Sequence, residues 1–213
     1  MNKEAHHSRV NEELGFPLGE QFERDLIALM SEDAPNYGQS VVIAIIDCDH
    51  FMHINTDFGY DVGDQILIQT GKHFEQSLPA HAKIYRIAGD EFGIIFEDYE
   101  REEVFLLLEG IRKAYAVKAP DGEALSVSIG LASFDDANRY QELVRKAESA
   151  MFRAKYNGRN KIALAKEEKM VPKTSHYTQD QLNELNKLSK KEGIGEAVLL
   201  REALDMLLKK YDR

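Results

Sequence analysis

The sequence predicts an α/β domain in which one central sheet is flanked by helices, followed by a small C-terminal strand-helix-helix unit. Three observations carry this expectation. The continuous β-branched run Val41-Val42-Ile43-Ala44-Ile45-Ile46 has the composition of a strand buried on both faces. Segments with apolar residues at helical spacing alternate with short apolar runs, the order that builds a sheet covered by helices. Composition then changes after Ala165, where Lys166-Glu167-Glu168-Lys169 opens a charged, solvated linker over residues 166–172.

In chain order, residues 1–39 are an N-terminal segment with a lead-in helix, and His6-His7 lies in a polar stretch expected to be mobile. The main domain spans residues 40–165. The apolar run of its first strand reaches Ile46, and Asp47 is the first polar side chain, at the strand end. Residues 61–78 put Ile66, Leu67, Thr70 and Phe74 on one helical face. Lys83-Ile84-Tyr85-Arg86-Ile87 and Phe92-Gly93-Ile94-Ile95-Phe96 read as strands around a tight glycine-containing turn, with Asp90 and Glu91 at its tip. Residues 100–117 repeat the helical pattern through Val104, Leu107, Leu108 and Ile111, and residues 140–156 through Leu143, Ala147, Ala150, Met151 and Ala154. Between them residues 125–134 form a strand, and residues 161–165 form another.

The second unit, residues 173–213, starts at Lys173-Thr174-Ser175-His176-Tyr177, read as a short strand. Thr178-Gln179-Asp180-Gln181 has the form of a capping box. Leu182, Leu185 and Leu188 mark a helix that breaks at Gly193, and Val198, Leu199, Leu200, Ala203, Leu204, Leu207 and Leu208 mark a second.

At 213 residues the chain accommodates one main domain and one small one. A net charge of −10 and a pI near 5.2 argue against broad attraction to nucleic acid or anionic membrane. No 18-residue apolar run or signal peptide is seen, and Cys48 is the one cysteine. A cytoplasmic protein without disulfides or membrane contact is therefore the expectation. His6, His7, His50 and His53 lack cysteine partners at zinc spacing and are read as outside any metal shell.

The chemistry gathers where Asp47-Cys48-Asp49-His50-Phe51 ends one strand and Ala88-Gly89-Asp90-Glu91-Phe92 turns between two others. If the hairpin pairs beside the first strand, Asp47, Asp90 and Glu91 converge at one sheet edge, with the Cys48 carbonyl as a further oxygen ligand. Hard oxygen donors of this kind select Mg²⁺ or Mn²⁺ over Zn²⁺. Lys155 and Arg159, four apart near a helix end, read on position alone as a solvated basic helix terminus.

Five ordered motifs over residues of about 40–165 resemble the GGDEF domain, the catalytic domain of diguanylate cyclases. Asp47-Cys48-Asp49-His50-Phe51 is similar to the family's D-x-D-x-F, and Asn55, Gly59, Gly63 and Asp64 to its N-D-x-x-G-H-x-x-G-D. Arg86-Ile87-Ala88-Gly89-Asp90-Glu91-Phe92 is similar to R-x-G-G-D-E-F, with AGDEF in place of the signature. Ser126-Val127-Ser128-Ile129-Gly130 and Ala154-Lys155-Tyr156-Asn157-Gly158-Arg159-Asn160 are similar to the later S-I-G and A-K-x-x-G-R-N stretches.

The resemblance implies a sheet related to the polymerase palm. It further implies condensation of two GTP molecules into cyclic di-GMP and two pyrophosphates, catalysed with two Mg²⁺ or Mn²⁺ ions. Asp47, Asp90 and Glu91 would be the catalytic and metal-binding side chains, joined by Cys48 through its carbonyl. Substrate would be bound by Phe51, by Asn55 and Asp64 at the guanine edge, and by Lys155 and Arg159 at phosphate. An Asp accepts from N1–H and the exocyclic amine of guanine, which adenine does not present, so Asp64 favours GTP. Because one domain holds one GTP, the working unit would be a homodimer.

Several positions depart from the family pattern. Met52 stands where relatives carry a phosphate-binding Lys, Thr56 replaces an Asp, and Tyr60 replaces a His. Ala88 replaces the first signature glycine, which the turn accepts if its φ is negative. Residues 14–25 lose the Asp, Thr and Arg of the family's D-x-L-T-G-L-x-N-R. The Arg-x-x-Asp product-inhibition site of many relatives falls on Pro79-Ala80-His81-Ala82 and is absent. These losses keep open a catalytically idle domain that binds GTP as a ligand, with the C-terminal module as its DNA-binding or dimerisation output.

The C-terminal unit resembles a ribbon-helix-helix module, which in that family forms an intertwined dimer by pairing its strands. Such strands usually enter the DNA major groove. Here Pro172, Thr174 and His176 would face outward and Tyr177 the core, leaving no Arg or Lys on the reading face. Glu196 at the second helix start opposes phosphate. With eight Lys or Arg against seven Asp or Glu over residues 171–213, the module is nearly neutral, so dimerisation is favoured over DNA binding.

Overall fold

The computed structural model describes residues 3–31, 40–166, 174–192 and 195–211, which belong to two compact units, Met1–Glu167 and Glu168–Arg213. The expected linker at 166–172 lies almost wholly outside the described residues, as does the helix break at Gly193.

In the first unit the β-branched run forms β1, Val41–Cys48, and all eight of its residues are buried. The hairpin is β2, Ala82–Ala88, and β3, Glu91–Glu97. With β4, Val127–Ser133, and β5, Ile162–Leu164, the strands form one sheet in the order β2-β3-β1-β4-β5. β1 runs antiparallel to both β3 and β4, and only β5 is parallel to its neighbour. Alternation along β1 splits the core between its faces. Val42, Ala44, Ile46 and Cys48 belong to one apolar cluster, and Val41, Ile43 and Ile45 to another.

The first face is covered by α1, Lys3–Leu14, by α4, Tyr60–Glu75, and by α5, Arg101–Lys113. The second is covered by α2, Gly19–Leu29, and α6, Tyr140–Tyr156. Ile66, Leu67, Thr70 and Phe74 are the buried face of α4, as their spacing predicts. α6 lies so close to the sheet that a Cβ on Gly130 would stand 1.9 Å from the Ala147 carbonyl oxygen. Glycine is required there by the close approach rather than by its φ.

The structure departs from the local pattern in four places. The polar N-terminus, expected to be mobile, folds as α1 because Val10 is fully buried and Leu14 packs against the same cluster. The helix expected over residues 100–117 stops at Lys113. Val117 instead accepts a backbone hydrogen bond from Leu125 and packs with Ile54 and Ile66. An unanticipated helix, α3, Phe51–Phe58, follows β1 directly. Its start is set by His50, whose φ of 59° lies in the left-handed region. Finally, of the strand expected at residues 173–177, the described residues 174–177 are not in a strand; a ribbon needs a second strand to complete its ladder.

The second unit contains α7, Gln179–Glu192, and α8, Glu196–Tyr211. The capping box is present. The Thr178 N–H donates to Gln181 Oε1 at 2.9 Å, and the Gln181 N–H donates to Thr178 Oγ1 at 3.2 Å. Leu204, Leu207 and Leu208 are 53%, 50% and 57% exposed, and Tyr177 is also exposed.

Candidate active site

The end of β1 carries the site. Asp47 is the direct cross-strand partner of Glu91 on one side and of Ser128 on the other, which places two carboxylates side by side at the sheet edge. The Cys48 N–H donates to the Asp90 carbonyl at 3.4 Å, tying the hairpin turn to the same strand end. Asp47 is 1% exposed and Glu91 is also buried. Burial, followed by the nearby Asp90 charge, holds the Asp47 carboxyl well above the ordinary carboxylate range, and the Lys155 ammonium opposes both. Lys155 Nζ stands 2.9 Å from Asp47 Oδ1. Burying two acidic side chains here is costly without a cation.

Among the described residues no three His, Cys, Asp or Glu side chains close a metal shell by themselves. Mg²⁺ does not ask for one, because it is commonly held by one or two carboxylates together with substrate phosphates and water. Buried Asp47 beside Glu91, with Asp90 close enough to raise it electrostatically, is a donor set of that kind. The Cys48 thiol is excluded as a ligand. It points to the opposite face, 3.8 Å from Thr70 Oγ1, and burial pushes it far above its usual range.

Turn geometry at the hairpin is permissive. Ala88 does not have positive φ, so the methyl group costs nothing there. A Cβ on Gly89 would meet no atom within 4 Å, and its φ is not positive either. Neither conformation nor packing within the chain asks for glycine at 89. Close approach of a ligand to the backbone is the reason that remains.

On the other face of β1, α3 supplies Phe51 and Asn55, and α4 supplies Asp64. Gly63 makes room for Asn55, since a Cβ there would stand 2.0 Å from Asn55 Oδ1 and 3.1 Å from Phe51 Cζ. That oxygen is buried and finds no hydrogen-bond partner among the described residues. Asp64 is buried. Beside it lies Arg86, a buried guanidinium 5.3 Å over the Phe92 ring, which donates through Nη2 to the Gly89 carbonyl. Its Nε and Nη1 have no partner among the described residues. Burial holds Arg86 below its ordinary value, while Cys48, Asp90 and Asp64 pull it back up. Arg86 belongs to the R-x-G-G-D-E-F stretch but has no role among the residues expected at the site. The available signal was a charged residue in phase with Ile84 on a strand whose inner face is otherwise apolar.

Lys155 and Arg159 occupy the Asp47 side, at and just beyond the C-terminus of α6. Gly158, Arg159 and Asn160 have φ of 101°, 60° and 47°, three successive left-handed residues. Each non-glycine residue so placed costs about 1–2 kcal/mol. Met52, the replacement for the family's Lys, is exposed, and the Thr56 hydroxyl donates to the Met52 carbonyl at 2.9 Å.

Residues 6–161 match the sequence profile described as "Diguanylate cyclase, GGDEF domain", and residues 170–212 match that of the ribbon-helix-helix domain. The chain is similar to the diguanylate cyclase DosC of Escherichia coli, with 35% identity over 134 residues, 61% of this chain and 29% of that protein. It is also similar to an uncharacterized membrane protein of Staphylococcus aureus, with 28% identity over 169 residues, 76% of this chain and 47% of that one. The chain thus spans less than half the length of either relative. Among solved structures, the active GGEEF domain of a diguanylate cyclase from Vibrio cholerae superposes with a TM-score of 0.65 at 27% identity, covering 72% of this chain and 99% of that one. The GGDEF domain of YfiN from Pseudomonas aeruginosa superposes with a TM-score of 0.67 at 24% identity, covering 73% and 99%, which speaks for the fold.

Proposed function

The chain belongs to the GGDEF family, and from that premise we propose that it is a diguanylate cyclase, condensing two GTP molecules into cyclic di-GMP and two pyrophosphates. The observation that carries the reading is the buried pairing of Asp47 with Glu91 across β1 and β3, beside Asp90 and the Lys155 ammonium.

Asp47, Asp90, Glu91 and the Cys48 carbonyl would hold two Mg²⁺ or Mn²⁺ ions, which when bound acidify the attacking ribose hydroxyl and neutralise charge on the attacked phosphate. Asp64 accepts from the guanine N1–H and amine, and the unpartnered Asn55 oxygen accepts a further donor from the base. Phe51 packs beside Asn55 and walls the base site. Lys155 and Arg159 neutralise phosphate. Each domain binds one GTP, so two copies must face each other for the condensation. The C-terminal module, with Leu204, Leu207 and Leu208 turned to water, is suited to hold a homodimer. Its near-neutral charge favours that task over DNA binding. Among the described residues no helix is long and apolar enough to cross a membrane; the site of action proposed is the cytoplasm.

A second reading, a GTP-binding domain without turnover, is favoured by the exposed Met52 in place of a phosphate-binding cation. Incubation of the purified protein with Mg²⁺ and GTP, ATP or both, with products resolved by mass spectrometry, separates the two. Cyclic di-GMP that disappears in Glu91→Gln supports the cyclase; GTP bound without product supports the second reading.

A further inference from the structure

Asp49 lies between the site and the rest of the domain yet has no place in the reading above. It is 3% exposed. Its Oδ1 accepts from the Ser128 hydroxyl at 2.7 Å, and its Oδ2 accepts from the Ser126 hydroxyl at 2.6 Å and from the Asn160 backbone N–H at 3.0 Å. Although it belongs to the D-x-D motif, its carboxylate is thus engaged with β4 and with the turn after α6.

The last of these bonds spans 111 residues. It lands on the turn in which Gly158, Arg159 and Asn160 are all left-handed. A second clamp acts on the same residue. Arg112 Nη1 donates to Asn160 Oδ1 at 2.5 Å, and Arg112 is itself held by two hydrogen bonds to Glu109 at 2.8 and 2.7 Å. Strained backbone persists only where its surroundings hold it. Here the holding group sits two residues after Asp47, on the strand end that bears the acidic site.

We infer that Asp49 is a positioning residue. It fixes the left-handed Gly158-Arg159-Asn160 turn to the end of β1, so that Arg159 and the Asp47 carboxylate keep one spacing. This rests on Arg159 contacting the nucleotide phosphates, as proposed above. Nucleotide affinity then depends on Asp49 through Arg159 rather than through any contact of its own.

The test is a double-mutant cycle in the full chain, reading the affinity for a non-hydrolysable GTP analogue with Mg²⁺ by calorimetry. Asp49→Ala and Arg159→Ala are each expected to weaken binding about tenfold, and the double variant by no more than about tenfold, because the two act as one unit. Additive losses of about a hundredfold, or unchanged affinity in Asp49→Ala, would overturn the inference. Asp49→Asn keeps an acceptor oxygen for Asn160 and is expected to stay within about threefold of the parent. It also serves if the alanine variant does not fold, since a loss as deep as that of Arg159→Ala would count against positioning through the hydrogen bond. A ligand-free measurement separates this inference from the functional reading. The Asn160 amide should be protected from hydrogen exchange in the parent and lose protection in Asp49→Ala, whether or not GTP binds. Equal protection in both would overturn the clamp.

Discussion

The two units of this chain treat their apolar side chains in opposite ways. In the first, Phe22, Phe74, Phe92, Phe96 and Leu108 are shut from water, and the few buried charges among the described residues are Asp47, Asp49 and Glu91 about the end of β1 with Asp64 and Arg86 on the other face. In the second, Leu204, Leu207, Leu208 and Tyr211 on α8 stay half exposed or more, and Leu182 and Leu188 on α7 stay exposed too. A fully buried Leu contributes about 1.5–3 kcal/mol relative to an exposed one. The first unit collects that stabilisation within one copy. The second leaves it available to association, in keeping with the proposed dimer, in which chemistry belongs to one unit and assembly to the other.

The contrast is sharpened most by a pair of variants that should both stop synthesis for different reasons. Glu91→Gln is expected to lower turnover about a thousandfold, near 4 kcal/mol of barrier, while sedimentation remains that of the parent. Leu204→Glu combined with Leu207→Glu places two charges where the module would pack and should convert dimer to monomer in sedimentation. Synthesis should fall about a hundredfold at low protein concentration, with GTP-analogue binding per domain retained. A double variant that stays dimeric would break the comparison, since assembly would then reside in the first unit.

Within the first unit a smaller contrast runs between the two faces of β1. The Asp47 face carries the paired carboxylates and Lys155, and the Asn55 face offers an oxygen unpartnered among the described residues beside a buried Asp64 and the Arg86 guanidinium. Asp64→Ala should therefore act on affinity and base choice, raising KM for GTP about ten- to a hundredfold and narrowing the preference over ATP, with less effect on turnover. An equal fall in turnover with KM unchanged would place Asp64 with the catalytic acids instead.

Effects of about 1 kcal/mol are expected farther from the site. Asp25 accepts from Tyr85 Oη at 2.5 Å, Lys83 Nζ at 2.8 Å and Gln21 Nε2 at 2.6 Å, which fastens α2 to the sheet. Burial alone would raise its carboxyl, but these hydrogen bonds and the Lys83 charge outweigh burial and hold it below the usual range. A depressed carboxyl stabilises the fold above its ordinary unfolded value and loses that contribution as pH falls through the folded one. Tyr85→Phe should cost about 1 kcal/mol at pH 7. Asp25→Asn should flatten the acid limb of a denaturation profile, and an unchanged limb would remove Asp25 from the account.

Much of the fold was legible because its strands are β-branched runs bounded by the residues that end them. β1, the hairpin and α6 follow from spacing, whereas the placement of Asp47 beside Glu91 also needs β3 to pair with β1, which spacing leaves conditional. The Thr178–Gln181 cap was legible for the same reason, being local. What was not legible depends on distant partners. α3 is only eight residues long and begins after a left-handed His50. The N-terminal helix is held by α4, and Val117 left its expected helix to fill a gap near Ile54 and Ile66. The engagement of Asp49 rests on bonds to residues 77, 79 and 111 positions away, and the placement of Arg86 on a guanidinium stacked over Phe92, so neither has a local signature.

The smallest expected effect is a null one, at the turn before β2. Relatives with product inhibition carry Arg-x-x-Asp there. This chain has Pro79-Ala80-His81-Ala82, closed by the Ala82 N–H donating to the Pro79 carbonyl at 3.1 Å. Ala82 pairs with Phe96 as the first residue of β2, and the Glu97 N–H donates to the His81 carbonyl, so the segment continues the hairpin instead of projecting charge. It offers neither a guanidinium fork for phosphate nor a carboxylate for a guanine edge. Micromolar cyclic di-GMP should leave the initial rate of synthesis unchanged, and calorimetry should find no binding that substitutions at 79–82 remove. Tight binding that Pro79→Ala or His81→Ala abolishes would show that the hairpin edge recognises the product through its backbone. A ligand contact would then exist on a surface that carries none of the charge gathered at the end of β1.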